Sequence, residues 1–189
     1  MKKLIAPLVA ALVLTGCVVE SIYPWYTARD VTFDPALVGR WVEADAAADS
    51  LDGWTFEKAG ANGYWLTTVD GRNTNRYEMH LFRLGQRRFL DVCSTNRVAG
   101  QVPTHYLLTV SSVDPALQMA TLKYDWLTKL LEKNPGALRH LIVPDGSGET
   151  NDAQLVLTAS TKELQTFLLQ HAGDTNAFEH LDAMKRQPE

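Results

Sequence analysis

Residues 64–92 read YWLTTVDGRNTNRYEMHLFRLGQRRFLDV. Three β-rich runs, 64–69, 76–84 and 87–92, are separated by Asp70-Gly71 and by Leu84-Gly85-Gln86. Both breaks are tight-turn sequences, and Asp-Gly at the first predicts a type I′ hairpin. Tight turns join antiparallel neighbours, whereas parallel strands need a crossover of a dozen residues or more. The stretch is therefore an antiparallel meander. Towards the N-terminus the pattern adds strands over 53–57 and 38–43, with Ala61-Asn62-Gly63 closing another turn and a small acidic loop over 44–50.

Towards the C-terminus strands alternate with helices. Residues 105–113 and 117–123 form a hairpin around Asp114-Pro115. Trp126, Leu127, Leu130 and Leu131 then recur at helical spacing over 124–133, until Asn134-Pro135-Gly136 stops the helix. Strands over 138–143 and 154–158 flank a loop at 145–152. Ser160 and Glu163 make a capping box for a second helix with Leu164, Phe167 and Leu168 on its apolar stripe and Gly173 at its end. Residues from Asp174 onward carry weaker signals and read as a frayed tail. The predicted fold is mainly β within the α+β class. An antiparallel meander bends into a curved sheet or small barrel, and two helices in the second half cover an open end or an exposed edge.

The chain has 189 residues, of which 46% are hydrophobic and 21% charged, with only 2 Cys. That balance excludes disorder, a coiled coil and a disulfide scaffold, and the length supports a core without metal or disulfide. The net charge of -4 gives no footprint for nucleic acid; the nearest approach to a basic patch, Arg83, Arg87 and Arg88, sits at one hairpin tip.

The first residues, MKKLIAPLVAALVLTGC, have a basic start, an apolar run too short to span a bilayer, and a small-residue end. Leu14-Thr15-Gly16-Cys17 resembles the lipobox of bacterial lipoproteins. The resemblance implies a signal peptide over 1–16, acylation of Cys17, an acylated N-terminus and tether over 17–31, and a single domain over 32–189. It also implies a cell-envelope location. Val18, rather than Asp, follows the acylated position, which favours the outer membrane. Loss of Lys2 and Lys3 with the leader makes the mature chain more acidic by two charges. Acyl chains contribute about 0.8 kcal/mol per buried methylene, so the anchor needs no basic patch. With Cys17 acylated, Cys93 has no cysteine partner for an internal disulfide, and a lone thiol in an oxidising compartment is expected to be buried. Ile22, Tyr23, Pro24, Trp25 and Tyr26 give the tether an apolar character that points to docking on the domain, with membrane-interface contact as the alternative.

Gly39-Arg40-Trp41 resembles the Gly-x-Trp first strand of lipocalin-type barrels. In such barrels the Trp plugs the base, and Arg139 is the candidate partner for its face. The mature chain also resembles a group of bacterial proteins without assigned activity. Tyr23-Pro24-Trp25-Tyr26-Thr27, Trp54-Thr55-Phe56, Phe89-Leu90-Asp91, Asp125-Trp126-Leu127 and Leu157-Thr158-Ala159-Ser160-Thr161 carry that likeness, which implies a shared fold.

Trp41, Trp54 and Trp65 are the candidate ligand-pocket aromatics, and they serve equally as core filling. Glu78 and His80 share a strand face that pairing could bring to His105 or His140, the basis for a metal-assisted hydrolase. No HxH or HExxH spacing accompanies them, no Gly-x-Ser-x-Gly elbow or phosphate loop occurs, and Cys93 follows a strand with no neighbouring base in sequence. The sequence thus identifies no catalytic, cofactor-binding or metal residue. Three functions remain: a non-enzymatic, membrane-anchored binder of a small apolar ligand or lipid; an interaction module for an envelope protein through residues 23–26 or the Trp126 helix; and the hydrolase.

Overall fold

A computed structural model describes residues 19–47, 49–95, 100–143 and 154–188. The leader, Cys17 and the 145–152 loop lie outside the described residues. Two short strands, β1 (Glu20–Ser21) and β2 (Val31–Thr32), precede the meander. Its strands are β3 (Gly39–Glu43), β4 (Gly53–Ala59), β5 (Gly63–Asp70), β6 (Asn73–Leu84), β7 (Arg87–Ser94), β8 (His105–Ser112) and β9 (Gln118–Leu122). Each meander strand is antiparallel to the next, as the turn sequences require. After β9 come α1 (Tyr124–Lys133), β10 (His140–Val143), β11 (Gln154–Leu157), α2 (Thr161–His171), β12 (Phe178–His180) and β13 (Met184–Arg186). The mainly β fold with two late helices, curved and lipocalin-like, is the one expected.

The Asp70-Gly71 turn differs in type from expectation. Asp70 pairs with Asn73 and Leu84 with Arg87, which leaves Gly71-Arg72 and Gly85-Gln86 as two-residue loops. Gly71 and Gly85 have φ of 57° and 58°, while no described non-glycine residue has positive φ. A type I′ turn needs positive φ at both central positions, so the glycine-first loops follow the type II′ pattern instead.

Alternation along the strands separates two cores. Tyr77, Met79 and Leu81 of β6 point to the concave side, together with Trp41, Phe56, Tyr64, Leu66, Leu90, Leu108 and Met119. The concave side is closely filled: Trp41, Phe56, Tyr64, Leu66 and Met79 are each no more than 1% exposed. Phe82, Phe89, Leu107, Ala120 and Leu122 point outward into a second core under Leu127 and Leu131 of α1 and Leu164, Phe167 and Leu168 of α2. The helices therefore cover the convex face of β6–β9 rather than an open end or edge.

At β8 the sheet forks. One branch runs through β1 and β11 to β10, where Leu141 and Ile142 are exposed. The other reaches β9, whose outer partner is β12. The chain then continues into β13, which pairs with β3 at the opposite end of the meander. Met184 and Leu117 exchange both backbone hydrogen bonds, 2.9 and 3.0 Å, as an isolated bridge. Residues 178–186 thus stitch the seam of the bent sheet, although no continuous ladder closes it.

This overturns the frayed tail. Met184 is 6% exposed, and the Gln187 N–H donates to Arg40 O. The Arg186 guanidinium lies 4.5 Å from the Trp41 ring centroid and donates to the Val38 and Ala36 carbonyls. Arg186, not Arg139, is the cation over the Trp41 face. Arg139 instead binds Glu163 at 2.6 Å. Gly39 has a φ of 129°, a conformation that L side chains rarely adopt, which explains why glycine occupies that place two residues before Trp41. The end of α2 also differs from expectation, because Ala172 caps it in right-handed conformation and Gly173 takes no positive φ.

The described part of the expected tether is built into the domain. Trp25 is fully buried in the outer core, β1 lies between β8 and β11, and β2 pairs with β6 where β5 ends. Thr161 Oγ1 donates to Pro24 O and Gln165 Nε2 to Trp25 O, fastening the segment to α2. Docking is therefore the arrangement from Val19 onward.

Candidate functional site

On the convex face, below the segment that carries Tyr26, the ladder of β6, β7 and β8 gathers Glu78, His80, Asp91, Cys93 and His105. Register does the gathering: Glu78 is opposite Cys93, Cys93 is opposite His105, and His80 is opposite Asp91. Directly opposed residues share a face with Cβ atoms about 4.5–5.5 Å apart. Five functional groups from three strands consequently form one patch.

Asp91 organises it. The side chain is almost wholly buried, and each carboxylate oxygen has a partner: Oδ2 accepts the Trp25 N–H at 2.8 Å, and Oδ1 meets His105 Nδ1 at 2.7 Å. A carboxylate only accepts, so Nδ1 carries the hydrogen and Nε2 is the imidazole's other ring nitrogen. Tyr26 lies over the patch with its hydroxyl 2.9 Å from His80 Nδ1 and the two ring centroids 4.7 Å apart. Its phenol is pushed up to about 12, by burial first and then by the charges of Asp91, Glu78 and Cys93. Tyr26 therefore stays a neutral hydroxyl at physiological pH. A Cβ on Gly63 would be tight against the Ala59 carbonyl oxygen at 3.1 Å, with His80 Nε2 in ordinary contact at 3.4 Å.

Two clefts open here. One of about 290 Å³ holds Cys93, His105 and Asp91 with Ile22, Val102 and Pro103 around them. The other, about 470 Å³, is walled by Ala28, Val31, Ala59 and Trp65. Tyr26, Glu78 and His80 line both, so the clefts meet at the Tyr26–His80 pair. Both linings mix polar and apolar groups, and the larger cleft adds an apolar wall of Val31, Ala59 and Trp65.

The three candidate aromatics separate by facing. Trp41 is buried on the concave side, where its indole N–H donates to Leu37 O at 2.9 Å. Trp54 packs on the same concave core, 6.2 Å from Phe56. Trp65 faces outward, lines the larger cleft and carries Arg76 at 4.7 Å from its ring. Of the proposed metal group, Glu78, His80 and His105 do come together, whereas His140 sits on β10 with Nδ1 against Leu138 O. Among the described residues, no three His, Cys, Asp or Glu side chains are placed to hold a metal ion.

Sequence inspection missed Asp91, Cys93 and Tyr26. The absence of a neighbouring base for Cys93 is also corrected, because His105 lies directly across the ladder. The available signal was an Asp set within the apolar run Phe89-Leu90-Asp91-Val92, where a charge needs a partner. Comparison with known proteins adds no relative: no protein-family model matches the chain, and neither a curated protein nor a solved structure matches it.

Proposed function

We propose that the chain is a lipid-anchored lipoprotein of the bacterial cell envelope, sorted to the outer membrane, whose domain binds a small ligand with an apolar body and a polar end. The anchor rests on the lipobox at Cys17. The binding site rests on one observation: the concave side is filled by its own side chains, whereas the convex face opens two adjoining clefts, with Cys93, His105 and Asp91 in one and an apolar wall of Val31, Ala59 and Trp65 in the other. An acyl chain would lie along Val31, Ala59 and Trp65, with its polar end at His80 and His105. Medium-chain fatty acids are the simplest ligands of that form.

Titration of the full-length chain in phospholipid nanodiscs with octanoate tests the site. Indole fluorescence should change saturably, and Trp65→Phe should remove most of the change. A saturable change that Trp65→Phe leaves intact, or no change at all, rejects this site.

A second reading, an interaction module for an envelope protein, is favoured by the exposed run Leu141-Ile142-Val143 on edge strand β10. Edge strands offer unpaired backbone groups to other chains. Trp126 serves this reading less well, because it packs internally against Phe167 and His171. A photocrosslinker at Ile142 that traps one envelope protein in intact cells would support it, and an absence of specific adducts would count against it.

A further inference from the structure

The smaller cleft contains a thiol, an imidazole and a carboxylate: Asp91 holds His105, and Cys93 stands opposite His105 in the ladder with its thiol 3.8 Å from the Ser94 carbonyl oxygen. We propose that Cys93 is a nucleophile that takes the acyl group from a carboxylic ester, with His105 as its general base and Asp91 as the positioning residue. The inference rests on the convex cleft being the ligand site, and goes beyond binding to chemistry at that site.

Three observations carry it. Cys93 and His105 are directly opposed on β7 and β8, so their side chains leave the sheet side by side. Asp91 Oδ1 holds His105 Nδ1 at 2.7 Å, which keeps the hydrogen on Nδ1 and leaves the Nε2 lone pair to accept a proton. Asp91 is itself held by the buried Trp25 N–H and only 1% exposed, so the imidazole is oriented by a rigid group. A nucleophile beside a base that a third group orients is the general triad logic, recognised by geometry rather than by sequence order. Here the order is Asp, Cys, His along the chain, supplied by two neighbouring strands.

The chemistry closes without any further reactant than water. His105 Nε2 takes the thiol proton as Cys93 Sγ bonds to the ester carbonyl carbon. The carbon–oxygen bond to the alcohol then breaks, and the alcohol departs with the proton from His105. The acyl group remains as a thioester on Cys93. Water, deprotonated by His105, then adds to that carbon, and the carboxylic acid leaves as the thiolate regains its proton. The acyl chain has the adjoining cleft beside Trp65 to occupy, whereas the alcohol leaves towards solvent past Val102 and Pro103.

The test uses the full-length chain in nanodiscs and p-nitrophenyl butyrate. Peptide mass spectrometry should find one butyryl group on Cys93, with an initial burst of nitrophenolate that matches it, and Cys93→Ser should abolish both. His105→Ala should slow acylation on the order of 100-fold, the usual contribution of a general base, and added imidazole should restore much of the rate. A merely structural role for His105 would not respond to imidazole. Butyrylation elsewhere with Cys93 untouched, a wild-type rate in His105→Ala, or a slowed His105→Ala that imidazole leaves unchanged would each overturn the proposal. Octanoate binding distinguishes the two levels: if octanoate binds and Cys93 never acylates, this inference fails and the ligand site stands, whereas loss of both rejects both.

Discussion

A carboxylate as deeply buried as Asp91 is tolerated only where its oxygens are hydrogen-bonded. Asp91 meets that condition with the Trp25 backbone N–H and the His105 ring, and so joins the N-terminal segment to the site. Removing it leaves a buried N–H unsatisfied and the imidazole without its orienting partner. Asp91→Ala should therefore destabilise the domain by roughly 2 to 4 kcal/mol. Urea denaturation followed by circular dichroism measures the loss, and an unchanged midpoint would show that Asp91 is not the connection described. Tyr26 depends on the same burial. Its hydroxyl could be recognised only once the segment was docked, because an aromatic-rich stretch after an expected signal peptide suits a membrane interface as well as a protein groove.

At the scale of elements, α2 and the C-terminal segment make different demands. Ser160 and Glu163 form the capping box, and Glu163 also receives Arg139. These contacts, Arg139 first and then Ser160, hold the Glu163 carboxyl down to about 2. A depressed folded-state value means stabilisation that is full above the unfolded carboxylate range and disappears as pH falls from there towards about 2. Glu163→Gln should accordingly flatten the acid limb of the stability profile between roughly pH 4.5 and 2, which thermal melts across that window would reveal. The pair is exposed, so an effect larger than that of an ordinary surface ion pair would contradict this account.

The segment after Ala177 has the larger effect. Ending the chain there removes Phe178 and Met184 from the cores, the Leu117 bridge, and Arg186 from the Trp41 face. Such truncation should cost at least about 4 kcal/mol, the burial of two large apolar side chains, and hydrogen exchange should accelerate in β3 and β9. A truncated chain with wild-type melting and exchange would return these residues to the status of a loose tail. The meander was legible because its periodicity and turns are local, and α1 was readable from spacing alone. Strands β12 and β13 were not, because three-residue strands have no periodicity and their worth lies in partners more than fifty residues away. The site was half legible for the same reason. Glu78 and His80 share a strand, but the register that adds Cys93 and His105 depends on pairings along two further strands.

For the molecule as a whole, the proposed anchor at Cys17 would leave only a short path to the body. Val19 is already buried, so Val18 alone separates it from Cys17. An acylated Cys17 would hold β1 and its branch of the sheet close to the bilayer rather than leave the domain on a long leash. Cys17→Ser should give an unprocessed or mislocalised precursor, and membrane fractionation indistinguishable from wild type would reject the anchor.

The central claim is that ligands bind the convex clefts and not the concave interior. Met79, Met119 and Met184 all sit in the concave core, whereas Trp65 and His80 line the outer cleft. Octanoate titration of a chain labelled at methionine methyls and indole nitrogens, followed by NMR, separates the two. The account predicts that the Trp65 indole shifts saturably while the three methyl signals hold their positions; methyl shifts that saturate with octanoate while Trp65 stays still would contradict it.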